Sequence, residues 1–151
     1  MANENIKLHR LAPNEQGIVL EMIRKDEGLQ ETFSGSRNTL TRIANSAYTA
    51  LIKKGKTNVG FIMLVENGRT HKFEIDMGIL SQYRGKGYGS QALAQLKNII
   101  LNNPEPLDIE IQTKQVNEAA IRSVMKNGFV LYRQDEECLY FKLPEETKKH
   151  K

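Results

Sequence analysis

Arg84-Gly85-Lys86-Gly87-Tyr88-Gly89-Ser90 is the stretch on which the reading of this chain turns. Before it, Phe73, Ile75, Met77 and Ile79 alternate with Glu74, Asp76 and Gly78, the period of a long strand. After it, Tyr88, Ala92, Leu93, Leu96 and Ile99 or Ile100 recur at helical spacing until Asn102-Asn103-Pro104 ends the helix. The first N–H groups of a helix lack intrahelical acceptors and converge on one point, where an anion is favoured. Glycines at 85, 87 and 89 let phosphate oxygens approach the main chain, Arg84 and Lys86 add charge, and Ser90 offers a hydroxyl. Turns also use glycine, but Gly87 and Gly89 weaken the helix's first turn by roughly 1 kcal/mol each relative to alanine. A turn alone needs at most one such residue. The segment therefore reads as a diphosphate-binding junction.

Two other phosphate motifs do not fit. A P-loop needs Gly-Lys-Ser or Gly-Lys-Thr, whereas Gly87 follows Lys86. A dinucleotide fingerprint needs a third glycine where Ser90 stands, inside a βαβ unit that the preceding hairpin interrupts.

Working outward, the run 58–66 carries Val59, Phe61, Ile62, Met63, Leu64 and Val65, suited to a central strand. Asn67-Gly68 signals a turn, with Arg69, Thr70 and His71 lengthening the loop, so the strands on either side pair antiparallel. Upstream, 6–11 alternates as a strand, Asn14 caps a helix lined by Ile18, Val19, Met22 and Ile23, and Gly28 closes it. Ser36 caps a second helix through Leu40, Ile43, Ala44, Ala47, Tyr48 and Leu51, ended by Gly55. Downstream come a strand through Leu107, Ile109 and Ile111, a short helix capped by Asn117 and stopped at Gly128, and two closing strands around Asp135-Glu136-Glu137. The order implies an α+β domain with a mixed, mainly antiparallel sheet and about four helices.

The 151 residues argue for one domain, 1–151, with a loose tail after 144. The formal charge of +4 comes from interspersed signs and a lysine-rich tail, not from a basic face, so nucleic acid is not the expected partner. Cys138 is the only cysteine, which excludes an internal disulfide and points to a packed thiol rather than a nucleophile. No apolar run approaches the roughly 20 residues of a membrane span, no signal peptide is visible, and no ligand spacing suggests a metal. A cytoplasmic location is the expectation.

The chain resembles the GCN5-related N-acetyltransferase (GNAT) superfamily. That family's first signature, Arg or Gln, two residues, Gly, one residue, then Gly or Ala, is matched by Arg84, Gly87 and Gly89. Its second segment is matched by Asn117, Ala120, Ile121, Lys126, Gly128 and Phe129, and the resemblance covers most of 6–143. It implies a twisted sheet whose central strands splay to admit acetyl-coenzyme A. The main chain of Gly78, Ile79 and Leu80 would then hold the pantetheine arm and polarise the thioester. The amides of Gly85, Lys86, Gly87, Tyr88, Gly89 and Ser90 would receive the diphosphate. Asn117 would face the cofactor, although capping its helix is an equally good use.

The implied activity is direct acetyl transfer to an amine, with no covalent acyl-enzyme. The amine must be neutral when it attacks, which calls for a base. Glu74 and Asp76 share one strand face and are the acidic candidates, or simply a solvated face. The family's glutamate falls in register with His71 and Phe73, so neither acid inherits the role. His71 is a further candidate, because imidazole suits proton transfer near neutral pH. The family tyrosine that protonates the leaving thiolate is Val124 here, with Tyr132 and Tyr140 as substitutes or as packing residues.

The acceptor is loosely constrained. Asp26, Glu27 and Glu31, with Glu74, Asp76 and the acidic turn at 135–137, suit a polyamine, an aminoglycoside or a lysine-bearing peptide, and suit a plain surface equally. The competing classes are an acyl-coenzyme A-binding module without turnover and a nucleic-acid or structural interaction protein. A homodimer through a sheet edge or helix is compatible with the pattern.

Overall fold

The apolar run at 59–65 needs cover on both faces and a partner on both edges, and that need organises the molecule. The computed structural model describes residues 5–33 and 39–144. Strand β3 (Thr57–Glu66) lies between β2 (Ser46–Lys54) and β4 (Phe73–Ile79), antiparallel to both. Strand β1 (Lys7–Arg10) extends one edge, and β5 (Ile109–Lys114), β7 (Cys138–Lys142) and β6 (Val130–Gln134) extend the other, giving the order β1-β2-β3-β4-β5-β7-β6. Among the described strands, only β4 and β5 pair parallel. A parallel pair requires a crossover, here α4 (Tyr88–Leu101).

Alternation along β3 builds two cores. Ile62 and Leu64 join Ile75, Leu93, Leu96 and Val124 beneath α4 and α5 (Glu118–Lys126). Phe61, Met63 and Val65 face the opposite way, toward Val19, Leu29 and Ile43. Those three belong to α1 (Gly17–Lys25), α2 (Glu27–Thr32) and α3 (Thr39–Ala44). The α+β class and the mainly antiparallel mixed sheet agree with the sequence reading. No helix among the described residues is long and apolar enough to cross a membrane.

Three local expectations fail. The helix expected through Leu40 to Leu51 stops at Ala44, and its second half is β2. Tyr48 and Leu51 happen to fit helical spacing, but Thr49, Ala50, Leu51 and Ile52 are all buried because β2 is covered on both faces. Gly55, with φ 62°, turns the β2–β3 hairpin instead of ending a helix. The helix expected to run to Gly28 breaks at Asp26, whose Oδ1 accepts the Leu29 N–H at 3.0 Å and starts α2. Asn14 lies in a 3-10 turn (Pro13–Glu15) and caps nothing. The expected cap Ser36 and the tail from 145 onward lie outside the described residues.

Candidate active site

Strands β4 and β5 begin as neighbours and then part. Phe73 pairs with Ile109 and Glu74 with Glu110, and the Phe73 N–H donates to the Asp108 carbonyl at 2.7 Å. The ladder stops there, although β4 continues to Ile79 and β5 to Lys114. Main-chain groups alternate sides along a strand. The Leu80 N–H donates to the Val59 carbonyl on β3 at 2.9 Å, so Gly78 also faces β3, while the main chains of Met77 and Ile79 point into the gap. The gap opens into a groove of about 640 Å³ whose walls include Met77, Leu93, Ile111, Thr113 and Val124.

Of the three residues expected to hold the acyl arm, only Ile79 turns its main chain away from β3 and toward the gap. Gly78 has a different use. A Cβ there would stand 2.6 Å from Leu29 Cδ2 and 2.9 Å from Phe61 Cε1, so its bareness lets α2 lie on the sheet.

The entrance to α4 matches the expected anion site more closely. Gly85 and Gly87 have φ of 80° and 82°, and a Cβ on either would meet open space. Glycine is needed at both for its backbone conformation. Gly87 is the N-cap of α4 and no side chain caps the helix, so the amides of Tyr88, Gly89 and Ser90 face outward. The Tyr88 ring is buried in the core and anchors this turn, leaving its amide for a ligand. At Gly89 a Cβ would lie 3.3 Å from Met77 Cε, a tight contact, so α4 also packs closely on β4 at this glycine.

Arg84 lines the groove and turns its Nε–H back to the Ile79 carbonyl at 3.1 Å. Lys86 is exposed. Ser90 Oγ accepts from Asn127 Nδ2 at 3.2 Å, which ties α4 to the end of α5. Asn117 lines the groove while its Oδ1 accepts the Ala120 N–H at 3.1 Å, so the cap and the groove-facing position coexist.

A clamp under this junction has no counterpart in the sequence reading. Asp26 Oδ2 accepts the Ser81 N–H at 2.9 Å, and its Oδ1 accepts the Ser81 hydroxyl at 2.7 Å. Burial disfavours the Asp26 charge, but these bonds, the Leu29 N–H and the nearby Arg84 hold its carboxyl below the ordinary aspartate value. Gly28 permits the contact, since a Cβ there would fall 2.5 Å from Ser81 Oγ. The partners are 55 residues apart, so no local pattern announces them.

The acids of β4 are both held by Arg42 of α3. Arg42 donates to Asp76 through Nε at 2.6 Å and reaches Glu74 Oε1 through Nη2 at 2.9 Å. Asp76 lines the groove beside Thr39 and Arg42. Glu74, which also accepts from Asn67 Nδ2 at 3.0 Å, lies behind it.

His71 is exposed in the β3–β4 loop, at the end of β4 where β5 is still paired. At about 3.3 Å per strand residue, the length of β4 separates it from the junction. It is not brought to the groove. Nor is Tyr132, whose hydroxyl donates to Glu110 and accepts from Lys72 Nζ at 3.0 Å. The Tyr140 hydroxyl donates to Asp135 Oδ2 at 2.7 Å, a bond that with burial pushes its pKa up to about 12. Asp135 also accepts the N–H groups of Glu137 and Cys138, so this acid shapes the β6–β7 turn. Val124 does line the groove, buried, and Cys138 lines it as an acceptor of Gln112 Nε2.

A family model described as an acetyltransferase (GNAT) domain matches residues 8–130. Comparison with curated protein sequences gives no match. Among solved structures, AAC(6')-Ib in complex with paromomycin and acetyl-coenzyme A superposes with a TM-score of 0.75 at 18% identity, covering 95% of each chain. RimL, a ribosomal alpha-N-protein acetyltransferase in complex with coenzyme A, gives 0.70 at 14% identity, covering 94% of this chain and 95% of that one. The spermidine N-acetyltransferase SpeG from Vibrio cholerae gives 0.67 at 14% identity, covering 93% and 94%. At such identities the structural likeness carries the fold.

Proposed function

Since the chain belongs to the acetyltransferase (GNAT) domain family, we propose that it transfers the acetyl group of acetyl-coenzyme A to a primary amine by direct attack. One observation carries this reading. An uncapped helix entrance with two positive-φ glycines opens beside the gap in which the main chains of Met77 and Ile79 have left β5 behind.

The residues present fit the acyl donor. The amides of Tyr88, Gly89 and Ser90 face the open space beside Gly85 and Gly87 and would receive a diphosphate, with Arg84 and Lys86 adding charge. The main chain of Met77 and the N–H of Ile79, whose carbonyl already accepts from Arg84, would pair with the amide-bearing arm, and Asn117 would close the groove from α5. The donor supplies a thioester, whose carbonyl carbon takes the amine and whose sulfur leaves.

The acceptor would come from the side of α2 and α3, where Glu31, Thr32, Phe33, Thr39, Arg42 and Asp76 line the groove. Here Asp76 would orient the incoming ammonium and receive its proton through water, with Arg42 and Glu74 fixing the carboxylate. Kanamycin and spermidine are the kinds of amine that related structures name. A cationic amine suits Glu31 and Asp76, and Arg42 limits how many positive charges the acceptor brings.

A narrower reading, a protein that binds acyl-coenzyme A without turnover, is favoured by Val124, a buried side chain with no proton to give. Following coenzyme A thiol release with polyamines, aminoglycosides, amino acids and peptides tests both. Turnover on one amine class supports transfer. Tight binding with no release across the panel supports the narrower reading, and no binding at all overturns both.

A further inference from the structure

Among the described residues only two buried side-chain polar atoms lack a hydrogen-bond partner, Asn58 Oδ1 and Thr113 Oγ1. Buried polar groups are almost always satisfied, so an orphan on the wall of a groove asks for a ligand. Asn58 is not part of the groove lining, whereas Thr113 is, and Thr113 is only 6% exposed.

Its position is specific. Alternation along β5 puts Thr113 on the same face as Ile109 and Ile111, beneath α4 and α5. By Thr113 the β4–β5 ladder has already ended, so this part of β5 has no main-chain partner on β4. The neighbouring wall, with Leu93, Ile111 and Val124, is apolar. A sulfur anion emerging against that wall would find no donor in its hydrocarbon. The Thr113 hydroxyl is the buried side-chain donor of the described lining that has no partner of its own.

We propose that Thr113 is the hydrogen-bond donor to the leaving sulfur, in the place where Val124 offers none. The inference rests on the acyl-transfer reading above. In the step, the amine lone pair forms the N–C bond to the acetyl carbon while the C–S bond breaks and sulfur keeps the bonding pair. The surplus proton on nitrogen passes to water, and the released thiolate is later protonated from water. Thr113 keeps its own proton throughout. It lowers the energy of the charge that develops on sulfur, an electrostatic role that needs no titration of the hydroxyl.

Thr113→Val keeps the shape and removes the hydroxyl, and Thr113→Ser keeps the hydroxyl and removes the methyl. Because the hydroxyl is unsatisfied in the unliganded protein, Thr113→Val leaves the melting temperature unchanged or raises it. With wild-type turnover established, Thr113→Val lowers kcat roughly ten-fold while KM for acetyl-coenzyme A stays within about two-fold, and Thr113→Ser recovers most of the loss. Independently of turnover, ultraviolet titration of the bound coenzyme A thiol shows a higher thiol pKa in Thr113→Val than in wild type. A folded Thr113→Val with unchanged kcat and unchanged thiol titration overturns the assignment. So does a loss confined to KM, which places the hydroxyl on the arm instead of the sulfur. Absence of coenzyme A binding by the wild type would instead overturn the acyl-transfer reading beneath it.

Discussion

Arg42 grips Asp76 with two hydrogen bonds, Nε to Oδ2 at 2.6 Å and Nη2 to Oδ1 at 3.1 Å. The arginine side chain is 17% exposed and that of Asp76 only 5%. Burial opposes the arginine's charge, but the bonds to Asp76 and then the field of Glu74 raise its pKa above the ordinary value. One α3 residue thus holds two β4 acids and joins α3 to the sheet beside the groove.

Removing that arginine leaves two carboxylates without their shared cation in a poorly hydrated place. Arg42→Ala should lower stability by about 3–5 kcal/mol in urea denaturation at neutral pH. Arg42→Lys should fall between, because an ammonium keeps the charge and loses the paired geometry. A loss below about 1 kcal/mol for Arg42→Ala would match a surface pair and would contradict this arrangement.

Gly87 combines a left-handed backbone with open space at its Cβ position. Gly87→Ala should cost about 1–2 kcal/mol in folding. Its effect on coenzyme A should be larger, because the three amides facing outward turn with the cap. Calorimetric titration of the folded variant should show an affinity roughly ten-fold lower or worse. An unchanged affinity would remove the diphosphate from this entrance.

Asp26 supplies a pH dependence whose sign is fixed by its environment. Its carboxyl titrates below the ordinary aspartate value in the folded protein, so the unfolded chain binds the proton first as pH falls. The stabilisation is complete above the ordinary range near pH 4 and is lost progressively below it. Asp26→Asn should therefore be less stable than wild type at pH 7, with the difference shrinking in acid. Thermal melts from pH 7 to 3 would show this, and parallel curves would refute it.

His71 and Tyr132 were reasonable acid–base candidates in sequence, and the fold takes both away from the groove. His71→Ala and Tyr132→Phe should each leave the rate of thiol release within about two-fold. Loss of a true general acid or base would reduce it by about a hundred-fold or more. Such a loss in either variant would relocate the chemistry.

The strand, glycine junction and helix at 73–101 were legible because their signals are local: period two, a glycine cluster, then period 3.6. Helical spacing misled at Tyr48 and Leu51, because a strand buried on both faces loses its alternation and resembles a helix core. The clamp from Asp26 to Ser81 and the bridge from Arg42 to Asp76 span 55 and 34 residues, and nothing in either segment names its partner. Gly78 and Gly89 were readable as glycines near a ligand. Only packing reveals that Leu29 and Phe61 occupy the space a side chain at Gly78 would take, and that Met77 crowds Gly89. Thr113 carries no signal in the sequence; only the fold buries its hydroxyl without a partner.

The most direct measurement is a coenzyme A titration followed by amide NMR. Saturable shifts are expected at Tyr88, Gly89, Ser90, Met77 and Ile79, with the N–H groups of Leu80 and His71 little changed because the first is bonded to β3 and the second lies at the other end of β4. Saturable binding that leaves the α4 entrance and Ile79 unmoved would contradict it, as would no binding.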